Sequence, residues 1–312
     1  MDRRNFVAGA AAAGGLALVP RLVRAQAGKK PVVGLVIKSL ANEFFKDMQE
    51  GAVKHAEQRG DMTLVAVGIQ SETDIDGQIA AVENLITQKV DAIVIAPADS
   101  QALLPPAARA VKAGIKVVNI DVAFDPAAMK KRGVDIAFVG PDNRAGAKLS
   151  GDVLASALGQ GGKVVIIEGN PGAENGAQRA LGYRDAVAAG GLVLLDSRAA
   201  HWETEEANTV FTNMLTAHGD IQGVMTANDS MALGVVKAID SAGKAGKIKV
   251  VSFDNIPAIQ PLLKNGKVLA TVDQFGAQLA ALGIDNAMAE IAGQTLTGWV
   301  KTPVKLVTGA QS

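Results

Sequence analysis

Two adjacent aromatics, Phe44 and Phe45, stand just beyond a cation at Lys38 and an amide at Asn42. Further along come Asp121, Arg179, Trp202, Asn228, Asp254 and Gln274. Carboxylates and amides bind paired hydroxyls, while Arg and Lys donate charge-assisted bonds to oxygen. Flat aromatics cover apolar C–H faces. A neutral, polyhydroxylated ring matches all of these groups at once. An amino acid would need fixed charge capture, and a phosphate would prefer backbone nests and several cations. Aromatics are scarce here, eight Phe, two Trp and one Tyr, so finding three of them in this set is informative. Singly, each polar residue reads equally well as a helix cap or turn residue, Asn228 and Asp229 above all. Jointly they point to one cleft.

The elements that must position them follow from periodicity. Short β-branched runs alternate with amphipathic segments at a rhythm of roughly 30 residues. Strands are expected at 31–37, 63–67, 92–95 and 116–120, with helices at 43–59, 73–88 and 101–112 between them. The pattern restarts with strands at 163–168, 192–195, 223–226, 249–253 and 269–272. Helices are expected at 176–189, 204–217, 230–241 and 256–265, then a long one at 277–291 ahead of a strand at 303–307. No element is assigned between Ile120 and Lys163, and Gly159–Lys163 reads as a turn because it precedes a strand. Uniformly apolar strands separated by helices predict α/β architecture, two doubly wound parallel-sheet lobes. Ligands bind outside the carboxyl ends of such strands, where the residues above stand.

Composition narrows the function. The first 27 residues carry Arg3-Arg4, an apolar Ala8–Val19 run and Ala25-Gln26-Ala27, the pattern of a secretory signal. The paired arginines favour the twin-arginine route to the periplasm. The apolar run is shorter than the roughly 20 residues that span a bilayer. Without that leader, 31 basic and 31 acidic residues become 27 and 30, a formal charge of −3. A mildly acidic surface argues against nucleic acid or anionic membrane as partner. With no Cys, the chain offers no lipid-anchor cysteine, no thiol nucleophile and no zinc–thiolate site. His55, His201 and His218 form no short metal motif, and no phosphate-loop, dinucleotide or serine-hydrolase signature is present. No cofactor and no metal is expected.

Across 31–307 the chain resembles the periplasmic sugar-binding proteins of the ribose, allose and galactose type, which feed ABC importers. The resemblance is carried by Lys38–Phe45, Asn119–Asp121, Arg179–Tyr183, Thr226–Gly234 and Phe253–Pro257. It implies a monosaccharide closed between two lobes, which then dock the membrane subunits of a permease; the charged, helical lobe faces read as those of a monomer. It implies sugar contacts from Asn42, Phe44, Phe45 and Asp121, a hydroxyl-binding Arg179 and a stacking Trp202. Asn228, Asp254 and Gln274 fall on the remaining hydrogen-bonding positions. Lys38 stands where ribose binders carry a small hydroxyl residue and allose binders a lysine, and Val122 where ribose binders place an arginine. Lys130–Gly133 and Ser241–Lys247 also look more like the allose protein, so a hexose, with D-allose first, is the expected ligand. Glu43 replaces a frequent proline, and Asn255-Ile256 departs from a more usual glycine.

The signal peptide is read at 1–27, and the resemblance implies a first lobe at 28–141 plus 275–302 and a second at 142–274 plus 303–312. Three alternatives share the cleft. A glycosidase would use Asp121 and Asp254 as its acid/base pair. A transcription regulator needs a basic helix-turn-helix where this chain has an export signal. A chemoreceptor-presenting protein would bind the same sugar, or a polyol, with a different output.

Overall fold

The computed structural model describes residues 29–309. The expected leader at 1–27 lies outside them, and the unit that begins at Pro31 carries two six-stranded sheets. In the first lobe, β1 (Val32–Ser39), β2 (Thr63–Ile69), β3 (Ala92–Ile95), β4 (Lys116–Ile120), β5 (Phe138–Pro141) and β11 (Trp299–Thr302) lie in the order β11-β5-β4-β3-β1-β2. In the second, β6 (Lys163–Glu168), β7 (Val193–Ala199), β8 (Gly223–Thr226), β9 (Lys249–Val251), β10 (Ala270–Asp273) and β12 (Lys305–Thr308) lie in the order β12-β10-β9-β8-β6-β7.

Helices cover both faces of each sheet, which is why the central strands are apolar on both sides. α1 (Glu43–Arg59) and α10 (Gly276–Ile291) pack on one face of the first sheet. Leu85 of α2 (Ile75–Gln88) and Leu104 of α3 (Leu104–Lys112) join Val36, Ile93 and Val117 on the other. In the second lobe α5 (Asn143–Leu158) and α6 (Glu174–Gly190) bury Leu154, Tyr183 and Val187 against Ile166 and Met225. α7 (Thr204–Ala217) and α8 (Asp229–Ser241) close the opposite face. A 3-10 turn at Pro257–Ile259 leads into the short α9 (Gln260–Lys264).

The structure adds three elements in the unassigned stretch: α4 (Pro126–Arg132), β5 and α5. Two have a clear reason for escaping periodicity. β5 is four residues long and ends Gly140-Pro141, while α5 buries mainly Gly146, Ala147, Ser150 and Gly151. Small residues there let α6 approach closely. One strand is not parallel: β12 pairs antiparallel with β10. β11 runs towards the other lobe and only Pro303-Val304 separate it from β12, too few for a crossover. Having entered the second sheet from its cleft end, the strand must run outward.

Two tight helix contacts and one buried acid give predictions for stability. A Cβ on Gly234 of α8 would sit 2.0 Å from the Thr204 carbonyl oxygen of α7. Gly234→Ala is therefore expected to cost about 1–3 kcal/mol through overpacking, read as a lowered thermal midpoint. A Cβ on Gly182 would meet the Arg144 carbonyl oxygen at 2.2 Å, with the same consequence. Asp229 is fully buried; it accepts the Ile256 N–H at 3.0 Å and the Thr271 hydroxyl at 2.8 Å. Burial pushes its carboxyl up to about 7, against the opposing pull of those donors. The folded state thus keeps a proton that the unfolded chain releases near pH ~4. Stability from this group falls as pH rises from about 4 to about 7 and is level above. That share of the decline is expected to vanish in Asp229→Asn, measured by denaturant unfolding across the same pH range.

Candidate functional site

The carboxyl ends of the two sheets face each other, and the side chains just past them line a small cavity. All ten sequence-predicted residues line it: Lys38, Asn42, Phe44, Phe45, Asp121, Arg179, Trp202, Asn228, Asp254 and Gln274. One further lining residue, Asn175, was missed. It sits four residues before Arg179 on α6, the spacing that puts both on one helix face. The cavity's lining of donors, acceptors and aromatic faces suits a single small polyhydroxylated ring.

Each wall is built by local chemistry. Lys38 is the penultimate residue of strand β1 and is 2% exposed. Its ammonium lies 5.0 Å from the Phe45 ring centroid and 5.1 Å from that of Trp202, so it is held between one aromatic of each lobe. Asn42 is the N-cap of α1, accepting from Phe44 N–H at 3.0 Å. Asn228 caps α8 by accepting from Met231 N–H at 2.9 Å. The capping and lining roles are thus compatible, each amide using its oxygen for the helix. Phe44, Phe45 and Trp202 are at once walls of the cavity and members of the hydrophobic core, at most 5% exposed. Phe44 and Phe45 meet edge to face at 5.0 Å.

Arg179 is fixed from three sides. Its Nε donates to Asn143 Oδ1 at 2.8 Å, Nη1 donates to the Ala227 carbonyl at 2.9 Å, and its guanidinium lies 3.7 Å from the Phe253 ring centroid. Asp254 accepts from Gln274 Nε2 at 2.7 Å and from Arg179 at 3.3 Å. Asp229, one residue past Asn228, does not line the cavity; it ties the start of α8 to the loop after β9.

The electrostatics are those of a dry site. Burial raises the pKa of Asp121, opposed by Lys38 and Arg179 and reinforced by Glu72. Burial also raises Asp254 well above the usual carboxylate range, opposed by Arg179. Several cavity atoms have no protein partner: both carboxylate oxygens of Asp121, Arg179 Nη2, Trp202 Nε1, Gln274 Oε1 and Asn175 Oδ1. Acceptors and donors are both represented, as a hydroxyl-bearing ligand requires. The backbone is strained where these groups are presented. Asp121, Trp202 and Asp254 have φ of 63°, 72° and 119°, and Phe275, next to Gln274, has 56°. Non-glycine residues hold such values when surrounding packing over-determines them, a recurrent feature of ligand clamps.

The lobes also bond each other directly beside the cavity. Glu43 accepts from Ala258 N–H at 3.0 Å, Ser100 N–H donates to the Gly172 carbonyl at 2.9 Å, and Asn170 Nδ2 donates to the Ala98 carbonyl at 3.3 Å. Glu43 therefore forms a bond between the lobes. Among the described residues no group of three or more His, Asp or Glu could hold a metal ion, and no helix is long and apolar enough to cross a membrane.

Known proteins match this arrangement throughout. The periplasmic binding protein domain model matches residues 33–295. A D-ribose/D-allose-binding protein of Pseudomonas aeruginosa is 48% identical over 291 residues, 92% of this chain and 91% of that one. An ABC transporter periplasmic solute-binding protein of Actinobacillus succinogenes, solved with bound D-allose, superposes with a TM-score of 0.85. It is 38% identical, covering 90% of this chain and 99% of its own. A Burkholderia multivorans solute-binding protein reaches a TM-score of 0.88 at 46% identity, covering 90% and 100%. Fold, cleft and sequence agree, and the chain belongs to the periplasmic binding protein family.

Proposed function

We propose that this protein is the periplasmic substrate-binding component of an ABC sugar importer and that its cargo is a monosaccharide, D-allose first. The observation that carries the reading is the set of buried, mutually complementary polar atoms of Asp121, Asn175, Arg179, Trp202 and Gln274 without protein partners. A buried polar group left unsatisfied costs about 1–3 kcal/mol. Such a set is tolerable only if a ligand or water completes it, and a sugar's hydroxyls donate and accept together. Lys38, Asn42, Asn228 and Asp254 add polar contacts, while Phe44, Phe45 and Trp202 cover the C–H faces. D-ribose is the second cargo, favoured by the Pseudomonas relative, which is named for both sugars.

The cleft binds without turnover in this reading. Asp254 is already tied by Arg179 and Gln274, which leaves no free acid/base pair for glycoside hydrolysis. Among the described residues the lobes extend over 29–141 plus 275–302 and over 142–274 plus 303–309. Closure turns on Pro141-Asp142, Gln274-Phe275 and Thr302-Pro303, short segments that absorb backbone rotation. Sugar contacts both lobes only when they are closed, so its binding energy shifts the population. Moving from 1:99 to 99:1 takes about 5.5 kcal/mol of differential affinity, within reach of a few charge-assisted bonds at about 1.5–3 kcal/mol each. The closed monomer then docks the permease in the inner membrane, after export by the twin-arginine route.

Isothermal titration of the ligand-stripped mature protein against allose, ribose, galactose, glucose, xylose and myo-inositol tests the reading. Tight one-to-one binding of D-allose, abolished in Asp121→Ala, is the expected result; silence across the panel would contradict it. Trp202→Ala is expected to weaken the sugar by about 1–3 kcal/mol from lost apolar contact, and an unchanged dissociation constant would remove Trp202 from the site.

A further inference from the structure

Glu72 lies in the turn after β2, is 1% exposed, and does not itself line the cavity. Its carboxylate is divided between two residues that do. Oε2 holds the Lys38 ammonium at 2.8 Å, and Oε1 accepts from the Asn42 side-chain amide at 3.0 Å. Both of those residues reach the second lobe in turn. Lys38 stands against the Trp202 ring, and Asn42 Oδ1 accepts from the Ser230 hydroxyl at 3.3 Å. Glu72 also reaches that lobe itself, its backbone N–H donating to the Glu203 carboxylate at 3.1 Å.

A buried ammonium must be paired, because losing its partner leaves an uncompensated charge out of water. Lys38 has two acids within electrostatic reach, Glu72 and Asp121. Because Glu72 holds it, both Asp121 oxygens stay without a protein partner, free to accept hydroxyls. Take the Glu72 charge away and Asp121 becomes the remaining counter-ion. Lys38 would then be drawn onto the acceptor that the ligand needs.

We propose that Glu72 is a positioning residue of the cleft: it holds Lys38 away from Asp121 and keeps Lys38 and Asn42 in register with the second lobe. One carboxylate thereby sets both the polar face offered to the ligand and the contact that closes over it. The inference rests on the sugar-binding reading for its ligand and on the structure alone for the arrangement of Lys38.

A double-mutant cycle tests it. D-allose affinity is measured for the wild type, Glu72→Gln, Lys38→Met and the double variant. Gln keeps an acceptor for Asn42 and removes only the charge. Each single variant is expected to bind about tenfold or more weaker, with the double no worse than Lys38→Met within about threefold, because the residues act as a unit. Wild-type affinity in Glu72→Gln, or losses that multiply in the double variant, would overturn the proposal. A second readout needs no sugar. In a Trp299→Phe background Trp202 is the single indole, and its emission in ligand-free protein is expected to shift alike in Glu72→Gln and Lys38→Met. An unshifted emission in Glu72→Gln would overturn the proposal. Should that variant fail to fold, Glu72→Asp, which retracts the charge by one methylene, takes its place with the same readouts. A wild type that binds no sugar of the panel contradicts the sugar reading, while the emission arm still decides for or against Glu72.

Discussion

Desolvated polar groups must find partners, and the closed cleft gathers a set that the protein does not satisfy. Asp121 presents two acceptor oxygens, Arg179 and Trp202 each present a donor, and Gln274 and Asn175 each present an acceptor. Around them the neighbouring groups are tied internally: Arg179 to Asn143 and Ala227, Asp254 to Gln274, and Lys38 to Glu72 as an ion pair. The interior holds these groups in place and leaves their outward-facing bonds unmade. That division is what preorganisation means here, since the ordering cost is met in folding and not on binding.

Apolar packing in both lobes makes the arrangement possible. Strands covered on both faces run with their carboxyl ends towards one cleft, and the chain bends sharply there to turn side chains inward. Left-handed backbone at Asp121, Trp202, Asp254 and Phe275 is costly for residues with side chains, of order 1–3 kcal/mol each. Fully buried neighbours such as Ile120, Ala200 and Phe253 hold those bends in place. Stability in the cores is thus coupled to geometry at the cleft.

Much of this was legible in the sequence. Continuous apolar runs such as Ala92–Ile95 and Gly223–Thr226 read directly as buried strands, and the rule that ligands bind past strand ends located all ten predicted lining residues. The misses have physical causes. α5 packs through small residues, so its buried face carries little hydrophobic signal. β12 reverses because of a two-residue crossing, a constraint of three-dimensional topology that local pattern does not record. Asn175 was within reach of helix periodicity, and Glu72 of the strand-end rule had it been applied after β2. The positive φ values left no trace, because Asp and Trp carry no glycine's mark.

Closure is where fold, site and proposed transport role meet, and the central claim is that the sugar drives it. The chain has no native cysteine, so a pair of introduced ones would be unique labelling sites. Asp76 and Glu205 are exposed on either side of the contact between Glu72 and Glu203. Spin labels there, read by pulsed dipolar spectroscopy, report the distance between the lobes with and without D-allose. The account predicts a longer, broader distribution in the stripped protein that collapses to a shorter, narrow one on adding sugar. A distribution unchanged by sugar that is shown to be bound would contradict it.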